Sequence, residues 1–62
     1  MVSTPPPGWR VLHDEAEDGV WTVLLQAWWD PWGWHVATGE APTRDEALRL
    51  AISAAEVEDR RR

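Results

Sequence analysis

Trp28-Trp29-Asp30-Pro31-Trp32-Gly33-Trp34 is the stretch that decides how this 62-residue chain folds, and four of its six tryptophans lie within it. Asp30-Pro31-Trp32-Gly33 has the chemistry of a type I turn: Asp first, Pro pre-setting φ at the second position, Gly fourth. Apolar and β-branched runs on both sides make it a β-hairpin. Two registers are open. If Pro31 and Trp32 form a two-residue loop, Trp29 faces Trp34, Ala27 faces Val36 and Leu25 faces Thr38. If Gly33 instead takes a left-handed bulge, a common partner of type I turns in hairpins, Trp34 and Val36 move to the face of Trp28 and Gln26. A one-residue slip exchanges the buried and exposed faces, so the choice decides which indoles meet solvent. The first register gathers the more continuous core and is the one expected. In both, Trp32 sits exposed at the loop tip, where an indole is well suited to anchor a partner.

Upstream, Val20 to Trp29 reads as the longest strand. Trp21, Val23, Leu25, Ala27 and Trp29 form a wholly apolar face at period two, which is core, whereas Val20, Thr22, Leu24, Gln26 and Trp28 form a mixed one. The mixed face is too apolar for water alone and calls for cover by a second subunit or a ligand. Trp9 to His13 is a short first strand with imperfect alternation. It leads into an acidic loop, Asp14-Glu15-Ala16-Glu17-Asp18-Gly19, in which Asp18-Gly19 is a strong turn signal. The carboxylate spacing does not match a Ca²⁺ loop, so no metal site is expected; a solvated acidic loop that attracts a basic partner is the better reading. Residues 1–8, with Pro5-Pro6-Pro7-Gly8, read as an extended polyproline-type arm.

Downstream, Trp34 to Gly39 is the third strand and Glu40-Ala41-Pro42 a linker, its Ala41 held extended by the following proline. Thr43-Arg44-Asp45-Glu46 is a capping box, in which the Thr43 hydroxyl accepts from the Glu46 amide and Glu46 reaches back. A helix is predicted from about Arg44 to Asp59, roughly 24 Å long at 1.5 Å per residue. Ala47, Ala51, Ala54 and Ala55 form a small-residue stripe that lets the helix approach a floor of bulky indoles. Leu48 and Ile52 flank it on one side, Leu50 and Val57 on the other. The apolar arc exceeds the roughly 100° that one buried face needs. Asp45 and Glu46 at the start and Arg60-Arg61-Arg62 at the end complement the helix dipole. The fold class is therefore α+β: a three-stranded antiparallel meander with one C-terminal helix packed on it, the arm over 1–8, the domain over 9–59 and an Arg tail over 60–62.

At this length a single core leaves marginal stability. The chain has no cysteine, so neither a disulfide nor a thiolate metal site can staple it. Large core residues and a homodimer are the expected remedies. Phe, Tyr, Lys and Asn are absent and all six basic residues are Arg; these absentees have A/T-rich codons, so a GC-rich genome explains why Trp fills aromatic positions. A net charge of -5 repels nucleic acid and anionic membrane on average. No apolar run approaches the roughly 20 residues of a bilayer span, and no signal peptide is recognisable. A cytoplasmic location is expected.

His13, His35 and the carboxylates are the only catalytic candidates, and no Ser, Cys or second His partners them in a recognisable pattern. No catalytic residue, cofactor or enzyme activity is assigned. His35 is expected to be a half-exposed strand residue stacked on Trp28. The leading expectation is a protein-interaction module that uses Trp28, Trp32 and Leu24 with the acidic Asp14, Glu15 and Glu17. The alternative is single-stranded nucleic-acid binding, with Trp28 and Trp32 stacking on bases and Arg60, Arg61 and Arg62 meeting phosphates.

The order strand, strand, strand, helix, with Gly39-Glu40-Ala41-Pro42-Thr43-Arg44-Asp45-Glu46-Ala47-Leu48 leading into the helix, resembles the small HicB-type antitoxin domain. The likeness spans roughly residues 9 to 58 and is detailed only over Thr43 to Ala55, where the family's Thr-x-x-Glu-Ala-Leu pattern falls on Thr43, Glu46, Ala47 and Leu48. The family's Leu-Pro-Gly element after the third strand is missing, as is a DNA-binding segment beyond the helix. The resemblance implies a domain that dimerises and neutralises a protein partner without binding DNA.

Overall fold

The computed structural model describes residues 4–29, 31 and 33–61. Three strands, β1 (Trp9–Glu17), β2 (Val20–Trp29) and β3 (Gly33–Ala41), precede one helix, α1 (Arg44–Arg61). The strands form an antiparallel sheet in the order β1-β2-β3, which is the α+β meander with a C-terminal helix that the sequence predicts. Among the described residues no helix is long and apolar enough to cross a membrane.

The first hairpin closes on Asp18 and Gly19, both at positive φ (52° and 78°), between the paired Glu17 and Val20. Two consecutive positive-φ residues make a turn whose twist matches that of the strands. Because this turn needs only two residues, pairing runs right up to it. The expected acidic loop is thus a correction: Asp14, Glu15 and Glu17 are strand residues. Ladder pairing with the long β2 outweighs the weak strand preference of acidic residues. The imperfect alternation of β1 has a cause too. The register shifts between Val11 and His13, so Leu12 is a bulged extra residue that moves the following side chains to opposite faces. Before β1 the arm is not simply extended, since the Trp9 amide donates to the Pro6 carbonyl at 3.0 Å across a Pro7-Gly8 turn.

The second hairpin adopts the other of the two registers. Trp28 lies opposite Trp34, Gln26 opposite Val36, Leu25 opposite Ala37 and Trp29 opposite Gly33, with Gly33 at φ 88°. The expected pairing of Trp29 with Trp34 is therefore wrong by one residue. The reason lies in the helix. In this register the small residues Ala37, Gly39 and Ala41 share the core face with Val23 and Leu25, and all five are buried. A methyl group on Gly39 would stand 2.5 Å from the Ala51 amide nitrogen and closer still to the Ala47 carbonyl oxygen. The closest approach of the α1 alanine stripe is thus to small residues of β3, with the Trp9 and Trp29 indoles in the same core cluster. In the expected register Val36 and Thr38 would lie under the helix and hold it away.

Helix α1 starts where predicted, with the Glu46 amide donating to the Thr43 hydroxyl at 3.3 Å. It runs on through Arg60 and Arg61, which are helical and not a tail, as basic residues at a helix C-terminus favour. Ala47, Leu48, Ala51 and Ala55 are buried against Val23, Leu25, Ala27, Trp9 and Trp29. Trp9 and Trp29 pack edge to face with centroids 5.5 Å apart, and the Trp9 indole donates to Asp59 at 3.2 Å. At the other end of the helix Arg44 pairs with Asp14 at 2.6 Å.

Gly39→Ala should destabilise the domain by about 3 kcal/mol, the upper end of what overpacking costs because the obstacle is helix backbone. At roughly 4–8 °C per kcal/mol for a domain this size, the thermal midpoint falls by about 12 °C or more. Thr38→Ala, on the neighbouring exposed position, should change stability by no more than about 0.5 kcal/mol. Circular-dichroism melts compare the two; equal midpoints would contradict the close-approach account.

Candidate functional site

The helix covers one face of the sheet and leaves the other open. Residues directly opposite one another in a ladder share a face, so the register assigns every side chain. The open face carries Arg10, His13, Glu15 and Glu17 from β1, Val20, Thr22, Leu24, Gln26 and Trp28 from β2, and Trp34, Val36, Thr38 and Glu40 from β3. Two contacts agree with this assignment: Arg10 donates to Gln26 at 3.3 Å, and His13 lies 2.8 Å from Glu15.

The face is polarised along the strands. At the hairpin end Trp28 and Trp34 meet edge to face, centroids 5.0 Å apart, yet they remain 52% and 57% exposed. Val36, 55% exposed, and the half-buried Leu24 continue the apolar surface inward. At the opposite end Glu15, Glu17 and Glu40 are all exposed. Arg10 is the one guanidinium among the described residues of this face. An indole pair left half in water is costly for a small domain, whereas charges at the other end are solvated at little cost. The arrangement sets an apolar end against an acidic end on one open surface, with the His13–Glu15 contact at 2.8 Å between them.

Of the expected partner-binding residues, Trp28, Leu24, Glu15 and Glu17 do share this face. Asp14 does not: it sits on the helix side, held by Arg44. Trp32 lies outside the described residues, as does Arg62. Trp34, Val36, Arg10 and Glu40 belong to the surface but were not among the residues expected from sequence; Gly33, through the alternative register, was the signal for the first two. The nucleic-acid set is divided by the sheet, because Arg60 and Arg61 are on the helix while Trp28 is on the opposite face.

The histidines fall on different faces. His35 stacks on Trp29, centroids 4.3 Å apart, and not on Trp28 as expected; the register shift carries it to the helix side. There its Nδ1 stands 4.0 Å from Glu58. No group of three or more His, Cys, Asp or Glu residues that could hold a metal occurs among the described residues.

These features define a small α+β domain with one helix-covered and one open, polarised sheet face. Comparison with protein-family models, with curated proteins and with solved structures finds no match.

The two adjacent indoles should separate in their effects. Trp29→Ala removes a core ring and should cost about 3–5 kcal/mol, enough to unfold much of a marginal domain. Trp28→Ala should cost only about 0.5–1.5 kcal/mol, the worth of an edge-to-face pair. Urea titration of both variants checks this; the reverse order would place the wrong indole in the core.

Proposed function

We propose that this chain is a small non-catalytic, cytoplasmic protein-interaction module of antitoxin-like type. It binds a protein segment across the open face. The observation that carries the reading is the exposed Trp28–Trp34 pair at one end of a face whose other end bears Glu15, Glu17 and Glu40. A matching segment presents aromatic or aliphatic side chains to the indoles and Arg or Lys to the carboxylates. Tryptophans supply the binding energy, as hot-spot residues do, and the carboxylates set orientation and speed association. Trp32, which lies outside the described residues, is proposed for the same contact on its sequence alone. The resemblance to HicB-type domains supports the antitoxin-like part of this reading.

Nucleic acid fits this surface less well. Stacking platforms need cations along the phosphate path, and among the described residues this face carries one guanidinium, Arg10, against three carboxylates at the end away from the indoles.

The test is capture from host lysate with tagged protein, before and after nuclease, using the wild type, Trp28→Ala/Trp34→Ala and Glu15→Lys/Glu17→Lys. A nuclease-resistant protein whose affinity falls at least about tenfold (1.4 kcal/mol) in both folded variants is the expected result. A partner indifferent to both variants, or material that disappears with nuclease, contradicts the reading.

A further inference from the structure

The two edges of the sheet are treated differently. The outer strand β1 is interrupted by the bulge at Leu12 and carries Arg10, His13, Asp14, Glu15 and Glu17, devices that keep an edge from pairing with another chain. The opposite edge, β3, runs nine residues in unbroken register with β2, contains no proline, and has Glu40 as its only carboxylate or guanidinium. Among the described residues no further strand lies along its outer side.

The helix flank above that edge is apolar. Leu50, Ala54 and Val57 recur at i, i+4 and i+7, on one side of α1. Leu50 is on the β3 side, since its Cβ lies 2.9 Å from where a Gly39 methyl would be. Asp59, nine residues on and thus on the opposite side of the helix, reaches Trp9 of β1. Leu50 is 50% and Val57 41% exposed, overhanging the edge of β3.

We propose that the β3 edge and this flank together form a two-fold interface between two copies of the chain, joining their sheets into one of six strands. What selects a second copy is that strand and helix share one centre. Gly39 underlies Ala47 and Ala51, and His35 lies beside Glu58, so Ala37 lies beneath the neighbourhood of Ala54. A two-fold axis at Ala37 pairs the β3 strands antiparallel, Val36 opposite Thr38 and Trp34 opposite Glu40 of the second copy. The same axis crosses the helices between Ser53 and Ala54. It sets Leu50 against Val57, and Arg61 against Glu46, of the other helix. Both contacts are repeated by symmetry, as an isologous interface requires. Strands roughly 5 Å apart, with each helix set back toward its own β2, bring the helix axes to the packing distance of about 8–10 Å. The small Ala54 at the crossing permits that approach. An unrelated strand could pair with the edge, but nothing would match it to the helix flank or to the charge pair. The interface leaves Trp28 and Trp34 uncovered, so it stands apart from partner binding on the open face.

Sedimentation equilibrium of the full chain tests the proposal, with circular dichroism confirming that each variant is folded. The wild type should be dimeric, and Leu50→Glu should raise the dissociation constant at least about tenfold. Arg61→Glu and Glu46→Arg should each weaken the dimer, and combining them should restore it. Because the chain has no cysteine, Ala54→Cys should give a disulfide-linked dimer under mild oxidation, whereas Glu56→Cys, on the other flank, should not. A monomer at about 100 µM, or a dimer indifferent to Leu50→Glu and to the charge exchange, would overturn the assignment.

Discussion

At Gly39 strand β3 meets the helix backbone with no room for a side chain, and the register of β3 depends on that approach. A side chain as small as a methyl group would collide there with the carbonyl of Ala47 and the amide of Ala51. Only a face built from Ala37, Gly39 and Ala41 can lie under the helix, and only the register in which Gly33 turns at positive φ presents that face. Once that register is set, Trp29 joins Trp9 in the core and Trp34 joins Trp28 outside. The same short distance lets alanines at Ala47, Ala51 and Ala55 fill the interface without voids, as dense packing requires. A chain with so few residues gains most of its stability from such contacts, and has little margin to lose any of them.

The surface that results divides its properties spatially. One sheet face is sealed by the helix, the other holds an indole pair at one end and carboxylates at the other. One sheet edge is bulged and charged, the other smooth and nearly uncharged. Each asymmetry follows from ordinary rules about exposed apolar area and unpaired strands. As proposed, the open face takes a foreign segment of complementary charge and the smooth edge takes the chain's own copy. On β3 itself Glu40 is the one carboxylate, and in the proposed pairing it meets Trp34 of the second copy, not another carboxylate.

Much of this was legible in the sequence because its signals are local. Asp18-Gly19 names its turn, Thr43 to Glu46 names the helix start, and the period-two run from Trp21 to Trp29 names the core face of β2. What sequence reasoning missed was decided by partners distant in the chain. Both hairpin registers satisfy the turn chemistry of Asp30 to Gly33, and the preference between them comes from Ala47 and Ala51, a dozen or more residues beyond. The carboxylates of Asp14, Glu15 and Glu17 look like a loop until the long β2 is seen to pair with all of them. The bulge at Leu12 was visible only as broken alternation. As a consequence, Trp34, Val36 and Glu40 were missed as surface residues, and Asp14, which pairs with Arg44, was misplaced among them.

The most direct test of the register is a set of nuclear Overhauser contacts from β3. The observed register predicts cross-peaks from the Gly39 α-protons to Ala47 and Ala51, from the Ala37 methyl to the methyls of Ala51 and Ala54, and from the Trp34 indole to that of Trp28. Contacts from the Val36 methyls or the Trp34 indole to the helix would contradict it, and would return the indoles to the core.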